Sequence, residues 1–545
     1  MGKLFFREII EILKRKKLDK NKLVKLKLKL CKKYNLKKIP TDIEILLTAK
    51  PEDLPKLKHL QTKPTRTISG VAVVAIMTKP RKCPHGACIM CPSYVDKGVP
   101  QSYTGKEPAT RRAIRNKFDP YLQVMNRLEQ YIVTGHAPDK IELIIMGGTF
   151  PSYPIKYQDS FVTYAFKAMN DFSKMFFNKG GFDILKFKKF FELPGNINDE
   201  NRGKSIEKKL LKIKNKSSLE KEQLKNESSN IRCVGLTIET RPDYAKEKHA
   251  KQMLKLGCTR VEVGVQSVYD DVLKFIERGH TTKDTIKAFQ ILKDLGFKIN
   301  AHYMPGLPNT PVERDLLGMI HLFSSQDYRP DMLKIYPCMV IPNTKLFELW
   351  KKRKYKPLST KQAAELIAKF KPFVPRYVRI MRVQRDIPTY ATAAGVDRTN
   401  LRQYIAALKP KCECIRCREI GRAKGKIGKP RLRTMHYEAS NGSEFFISIE
   451  TKKYILGFCR LRFPSVKKGN IAIVRELHVY GEAASLGKKG KVQHKGYGRL
   501  LLQQAEHTAK DYHRDKILII SGVGVRNYYK KLGYKKEGQY MVKCI

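Results

Sequence analysis

Six short apolar runs rich in β-branched residues recur along the middle of the chain, at 71–77, 141–146, 233–238, 261–265, 299–304 and 332–336. Most are separated by stretches of helical period, such as 243–256 and 282–295. Strand–helix alternation in which the strands are apolar throughout predicts a parallel sheet covered on both faces. Six such units predict an α/β fold built on an open, partial (β/α)6 barrel. Polar and glycine residues follow the runs. Cys83, Cys88 and Cys91 come after the first, Gly147-Gly148-Thr149 after the second and Glu239-Thr240-Arg241 after the third. Gln266-Ser267 follows the fourth and Pro305-Gly306 the fifth. In such barrels the active site gathers at the C-terminal strand ends, so these residues are expected on one rim.

The flanks have other patterns. In residues 1–65, Leu18, Leu23, Val24, Leu26, Leu28 and Leu30 are interleaved with lysines, which predicts basic helices. A solvated helix face and a phosphate-binding face are both open readings. Pro51, Pro55 and Pro64 mark a linker into the barrel, 66–380. Residues 172–229, rich in Lys, Asn and Ser, break the alternation and predict a loop-like or weakly helical insertion, partly mobile. Arg376, Arg379, Arg382 and Arg385 predict a basic, strand-like edge able to clamp phosphates. A linker at 381–430 carries Cys412, Cys414 and Cys417. From 431 to 545 a second α/β domain is expected, with antiparallel strands at 443–449, 455–461 and 471–480. There Gln493-His-Lys-Gly496-Tyr497-Gly498 opens an amphipathic helix at 500–510, and a strand at 517–521 precedes Asn527-Tyr-Tyr529-Lys-Lys-Leu-Gly533-Tyr534.

Composition sharpens the choice of partner. The net charge is +58, from 109 Lys+Arg against 51 Asp+Glu. Such a field attracts polyanions, nucleic acid first, although a lysine bias can also be an adaptation to heat. No run of ~18 apolar residues is present, so no membrane partner is expected. The N-terminus lacks an apolar signal core, and twelve cysteines without an export signal predict a reducing, cytoplasmic location.

The cysteines and glycines carry the candidate chemistry. Cys83, Cys88 and Cys91 are spaced C-x4-C-x2-C in one loop. Three thiolates can hold three irons of a [4Fe–4S] cluster and leave the fourth open to a substrate, while zinc is the rival occupant. The tighter C-x-C-x2-C group at Cys412, Cys414 and Cys417 suits zinc with a fourth ligand from elsewhere, or reduced structural thiols. Gly496 and Gly498 before a helix suit a phosphate cradle or simply a tight loop. Glu476 is a candidate general base for amine acetylation, or a strand-end carboxylate paired with a lysine.

Together, the glycine loop, the strand after it and Tyr528-Tyr529-Lys-Lys-Leu-Gly533-Tyr534 resemble the GNAT acetyltransferase family. The cysteine loop and Gly147-Gly148-Thr149 resemble the radical SAM superfamily, whose usual first cysteine gap is one residue shorter. Both halves on one chain resemble the Elongator catalytic-subunit family of tRNA wobble-uridine acetyltransferases. The resemblance rests on Cys83-Pro-His-Gly, Gln101-Ser-Tyr-Thr-Gly-Lys-Glu-Pro, Met146-Gly-Gly-Thr-Phe, Glu239-Thr-Arg-Pro-Asp, Gly264-Val-Gln-Ser, Glu476-Leu-His-Val-Tyr-Gly and Ser521-Gly-Val-Gly. It spans nearly the whole chain apart from the insertion.

The resemblance implies a [4Fe–4S] cluster on Cys83, Cys88 and Cys91, and S-adenosylmethionine near Gly147, Gly148, Glu239 and Gln266. With the cluster on the rim cysteines, zinc is left to Cys412, Cys414 and Cys417, as their spacing suggests. Acetyl-CoA would be held by Lys140, Glu476, Leu477, His478, Val479, Gln493, Gly496, Tyr497, Gly498, Arg499 and Tyr529, with Lys140, Glu476 and Tyr529 as the catalytic candidates. Lys140, on the barrel side, would place the acetyl group towards the cluster. The implied reaction takes hydrogen from the acetyl methyl with a deoxyadenosyl radical, adds the carbon to C5 of the wobble uridine, and hydrolyses the thioester to a carboxymethyl group. The anticodon stem-loop of tRNA would be the partner, bound in part by residues 1–65, with a second copy or accessory Elongator-like subunits as further partners. Two other functions compete. One is a protein-lysine acetyltransferase with a structural Fe–S domain, using Glu476 as base. The other is a non-catalytic RNA-binding scaffold.

Overall fold

The computed structural model describes residues 2–36, 38–60, 67, 70–195, 199–422, 428–465, 470–480 and 496–545. Seven parallel strands form the first sheet: β1 (Ala72–Met77), β2 (Lys140–Met146), β3 (Arg232–Thr240), β4 (Arg260–Gln266), β5 (Lys298–Tyr303), β6 (Met332–Ile335) and β7 (Arg379–Arg382), neighbouring one another in chain order. Their outward rows are fully apolar: Val74, Ile76, Leu143, Ile145, Leu236 and Ile238 are completely buried against helices such as Pro120–Val133 and Ile155–Phe176. The expected six units are therefore present, with a seventh strand added. That strand is the basic, strand-like edge expected at Arg376, Arg379, Arg382 and Arg385, and its arginines have partners within the protein. Arg376 pairs with Glu413 and Glu450, Arg379 with Glu419, and Arg382 with Asp386, while Arg385 donates to the Ser102 carbonyl.

The insertion at 172–229 also differs from expectation. Its described residues continue the helix Ile155–Phe176, turn through a hairpin at Phe177–Asn178 and Gly181–Phe182, and add helices Ile184–Phe190, Glu200–Ile213 and Leu219–Asn226. The cause is an aromatic cluster: Phe172, Phe176, Phe187 and Phe191 are at most 1% exposed and meet ring to ring. Buried polar groups close the rest. Arg202 pairs with Glu129, and Glu222 accepts from Asn170.

The N-terminal helices Gly2–Arg15, Lys20–Lys33 and Asp42–Thr48 carry a small core of their own, centred on Phe5, Ile9, Leu13, Leu30 and Ile45. The C-terminal sheet runs β8 (Arg431–Ala439), β9 (Gly442–Glu450), β10 (Ile455–Phe463), β11 (Ile471–Val479), β12 (Lys516–Ile519), then β14 (Tyr540–Cys544) and β13 (Lys535–Glu537) at its edge. Only β11 and β12 pair in parallel.

This second domain lies against the N-terminal ends of the barrel strands. Gly522 sits so close to the start of β3 that a Cβ there would lie 2.2 Å from the Val234 carbonyl oxygen. Beside it a buried ionic network crosses the boundary. Arg475 donates to both carboxylate oxygens of Asp331 at 2.8 and 2.6 Å and to Glu444 at 2.8 Å. Arg462 links Glu444 to Asp294 of the barrel's helix Thr282–Asp294. Burial alone would raise the Asp331 carboxyl, but Arg475 and Arg460 outweigh it and hold that group far below the usual carboxylate range.

Candidate active site at the two ends of the barrel

At the C-terminal rim, one cavity of about 440 Å3 is lined by Cys83, Cys88, Cys91, Gly148, Glu239 and Gln266. Gly147 is not among the lining residues and packs against Thr78, where a Cβ would lie 2.3 Å from the Oγ1; both glycines of the pair are left-handed, at φ +115° and +83°. A Cβ on Gly148 would lie 3.9 Å from the Cys83 sulfur. Gln266, also at positive φ, lines this space, and its buried Oε1 has no hydrogen-bond partner.

The thiol spacing separates the two cysteine groups. Among the described residues, Cys412, Cys414 and Cys417 have ligand atoms within 4.8 Å of one another, and Cys83, Cys88 and Cys91 form no such set. Tetrahedral zinc with bonds of about 2.3 Å places its thiolates roughly 3.8 Å apart. The linker group therefore fits one ion, whereas the rim group, spread around a cavity, fits a cluster with one iron per thiolate. The linker triad is held between the domains: Ile415 donates to the Val378 carbonyl, and Arg418 pairs with Glu450 of β9.

Several residues around the rim thiols are assigned no role at the cysteines by sequence, although Thr149, His85 and Gln101 fall within the quoted motifs. His85 Nε2 lies 3.3 Å from the Cys88 sulfur, and Arg278 Nη1 lies 3.6 Å from it. Gln101 donates to Cys91 at 3.3 Å, and Thr149 is 3.7 Å from Cys83. Burial, then the charges of Arg241 and Arg278, lower His85 to about 4. Below them the inner wall is ionic. Glu262 accepts from His302 at 2.9 Å and from Asn300 at 3.1 Å and pairs with Lys334, and Tyr103 donates to Glu239 at 3.1 Å. Burial and the neighbouring Lys334 lower His302 to about 4. Glu239, Glu262 and His302 bring ligand atoms together, but the Lys334 ammonium already supplies the positive charge there. A charge at an inward position of an apolar run, as with Glu262 in β4 or Lys334 in β6, was the signal that could have found this wall.

The second site lies at the opposite strand ends. β11 and β12 pair only from Ile471 to Val474, and beyond that point Glu476, Leu477, His478 and Val479 diverge from β12. The helix Tyr497–Asp511 starts beside them, opened by Gly496 at φ +81°. A Cβ on Gly498 would lie 2.9 Å from the Tyr528 hydroxyl and 3.8 Å from Val479. Tyr497, Gly498 and Arg499 therefore present a helix start to a cleft bounded by β11 and the Tyr528–Tyr529 turn, a setting that favours anions. Gln493 lies outside the described residues. Tyr529 is buried, and its hydroxyl is raised by burial and by Tyr528. The insertion fixes this turn: Glu227 accepts from Arg526 at 3.2 Å and from Lys530 at 2.8 Å, and its carbonyl accepts from Asn527.

Lys140 is the first residue of β2 and the ladder partner of Arg232, which abuts Gly524 of the second domain. Burial lowers its ammonium, partly offset by Asp139. Lys140 is thus on the barrel side of the second site. It is also six residues below the rim, about 20 Å at 3.3 Å per residue. Glu476 faces the barrel as well. Its side chain is 8% exposed and accepts from Arg460 at 2.9 Å. Burial would raise Glu476, but Lys298 and Arg460 win and keep it charged.

A parallel half-barrel with a three-cysteine rim, joined to a splayed mixed sheet with a glycine helix start, defines a radical SAM protein fused to a GNAT acetyltransferase. Sequence profiles agree: the ELP3 N-terminal domain matches residues 3–68, the Radical SAM superfamily 77–319, the Radical_SAM C-terminal domain 330–409 and the Acetyltransferase (GNAT) family 418–534. The tRNA uridine(34) acetyltransferase of Methanocaldococcus jannaschii is 46% identical, with 93% of this chain and 90% of that protein covered. Elongator complex protein 3 of Homo sapiens is 39% identical over 96% and 93%. The chain belongs to this family of tRNA uridine(34) acetyltransferases and Elongator complex protein 3. A solved structure of archaeal Methanocaldococcus infernus Elp3 lacking residues 1–46 superimposes with a TM-score of 0.71 at 40% identity, covering 88% of this chain and 100% of that one. Among the described residues, no helix is long and apolar enough to cross a membrane.

Proposed function

We propose that the chain transfers a two-carbon unit from acetyl-CoA to carbon 5 of the wobble uridine of tRNA, using a reduced [4Fe–4S] cluster and S-adenosylmethionine. Cys83, Cys88 and Cys91 would hold the cluster, and Gly147, Gly148, Glu239 and Gln266 would bound the S-adenosylmethionine space. Bound there, the pair supplies one-electron chemistry able to break an unactivated C–H bond. The protein's residues do the rest. Gln101, Arg278 and His85 tune the thiolates through hydrogen bonds to sulfur. Tyr497, Gly498 and Arg499 would receive the pyrophosphate of acetyl-CoA, the free edge of β11 would align its pantetheine arm, and Tyr529 and Lys140 would flank the thioester. Cys412, Cys414 and Cys417 would hold zinc. The base, splayed from the anticodon loop, would enter from the rim beside Tyr103 and Arg385, with phosphates held by basic residues including those of the N-terminal helices. Twelve free thiols suit the cytoplasm, and a second copy or Elongator-like subunits are proposed partners.

The observation that carries this reading over lysine acetylation is Glu476. A general base needs a carboxylate open to the incoming amine. Here it is bound to Arg460 and turned into the barrel floor, so the face a lysine peptide would use is taken. An anaerobic assay with tRNA, a lysine peptide and labelled acetyl-CoA decides between the two. Label in tRNA that vanishes in Cys88→Ala supports the proposal. Label in peptide that persists in Cys88→Ala overturns it.

A further inference from the structure

The rim cavity opens to solvent beside β7. Two of its lining residues there, Arg382 and Asp386, have side chains 48% and 61% exposed and so mark the mouth, while the next lining residue, Ile387, is buried. Three positions further on stands Tyr390, which at 74% is the most exposed large apolar or aromatic residue among the described residues. Resting on the functional reading above, we propose that Tyr390 is a stacking platform at this mouth. It would take an unpaired base of the anticodon loop next to the wobble uridine and hold the loop while the uridine is splayed into the cavity.

The turn that carries the ring is fixed on every side but one. Pro388 sets the entry at φ −61°. The Ala391 amide donates to the Pro388 carbonyl at 2.9 Å, and Thr392 donates to the Thr389 carbonyl through its amide at 3.2 Å and its hydroxyl at 2.8 Å. Below the turn, Ile387 packs with Met339 and Ile341, and Ala391 lies against them. The far end is tied by a two-way bridge, in which Val340 donates to the Ala394 carbonyl at 3.0 Å and Ala393 donates to the Val340 carbonyl at 2.8 Å. Tyr390 is therefore held outside the core by a turn whose other apolar residues pack into it. A ring on a preorganised turn loses little freedom when a base stacks on it. Its surroundings suit a polyanion. The Arg398 carbonyl accepts from Gln384, next to the mouth, and the Arg398 side chain is 62% exposed. Arg385, at the mouth itself, donates to the Ser102 carbonyl beside the cysteine loop. An aromatic face with cationic neighbours holds single-stranded RNA through stacking, whatever the base. A protein partner would bury an exposed tyrosine as well, but the adjoining cavity and the net charge of +58 favour RNA.

The test reads binding without catalysis. Affinity for an anticodon stem-loop RNA is measured by fluorescence anisotropy for wild type, Tyr390→Ala and Tyr390→Phe. Each is tried with the intact loop and with loops made abasic at the nucleotide before or after the wobble uridine. Tyr390→Ala is expected to bind the intact loop about tenfold more weakly than wild type, and Tyr390→Phe to stay within about twofold, since a phenyl ring also stacks. One abasic loop is expected to bind wild type about tenfold more weakly than the intact loop, while Tyr390→Ala binds that loop and the intact one alike. The salt dependence of binding is expected to be the same in Tyr390→Ala, because no phosphate contact is removed. So is the urea unfolding midpoint, because the side chain is exposed. Binding by Tyr390→Ala within about twofold of wild type overturns the stacking contact, and so do losses from the variant and from both abasic loops that simply multiply. Wild type that fails to bind the loop overturns it too. Wild type that binds the loop but makes no carboxymethyluridine overturns the functional reading instead, and the affinities then decide the stacking contact by themselves.

Discussion

Replacing Arg475 by Met should loosen the joint between the barrel and the acetyltransferase domain. The guanidinium is fully buried and makes two hydrogen bonds to Asp331, two to Glu444 and one to the Phe297 carbonyl. Asp331 and Glu444 are themselves at most 1% exposed. Removing one partner of a buried ion pair costs about 3–5 kcal/mol, because the partner charge stays buried. Part of that is recovered here: Arg460 remains 3.5 Å from Asp331, and Arg462 remains 3.0 Å from Glu444. The expected loss is therefore about 3 kcal/mol, the lower end of that range. Urea unfolding followed by far-ultraviolet circular dichroism measures it, with Asp331→Asn and the double variant completing a cycle. The same pair sets an acid sensitivity. Because the folded carboxyl of Asp331 lies below its unfolded value near 3.9, its stabilisation is complete above about pH 4 and is lost as pH falls towards the folded value. Arg475→Met should weaken that acid dependence. A loss under about 1 kcal/mol, or an unchanged acid profile, refutes the assignment of this network as the interdomain tie.

Three further outcomes follow from local geometry. Burial lifts the Asp315 carboxyl to about 7 against the amide of Gly306, so the folded chain holds that proton more tightly than the unfolded one, and stability falls as pH rises from about 4 through 7. Asp315→Asn should gain on wild type between about pH 5 and about pH 8 in the same unfolding assay, and a flat difference contradicts this. Gly148→Ala forces a left-handed backbone on alanine and sets a methyl 3.9 Å from the Cys83 sulfur. It should cost about 1–2 kcal/mol and weaken S-adenosylmethionine binding in a direct titration. Cys412→Ser should remove about one zinc per chain by metal analysis and leave the iron content unchanged.

The barrel strands were readable because strands covered on both faces are apolar along their whole length, as in 141–146 and 233–238. β7 was legible as a strand-like edge, but the partners of its arginines were not, because Arg379 meets the buried Glu419 and Arg382 lines the cavity only once the sheet has formed. The insertion was misread because its lysines and asparagines hide Phe172, Phe176, Phe187 and Phe191, which meet only once the hairpin at 177–182 folds them together. β8 shows mostly exposed residues at a sheet edge, so it carries no strong alternation. The rim cysteines, the glycine pair and the helix-start glycines were recognisable by spacing. The height of Lys140 within the barrel was not, because a residue's level along a strand depends on where the ladder begins. Nor was the engagement of Glu476 by Arg460, which rests on cross-strand register.

The most direct test of the account follows the acetyl methyl hydrogens. With methyl-trideuterated acetyl-CoA, S-adenosylmethionine, reduced protein and tRNA under anaerobic conditions, the account predicts one deuterium in the deoxyadenosine released and two in the carboxymethyl group on the wobble uridine. Deoxyadenosine without deuterium, or deuterated acetyl groups on lysine with tRNA unmodified, would contradict it.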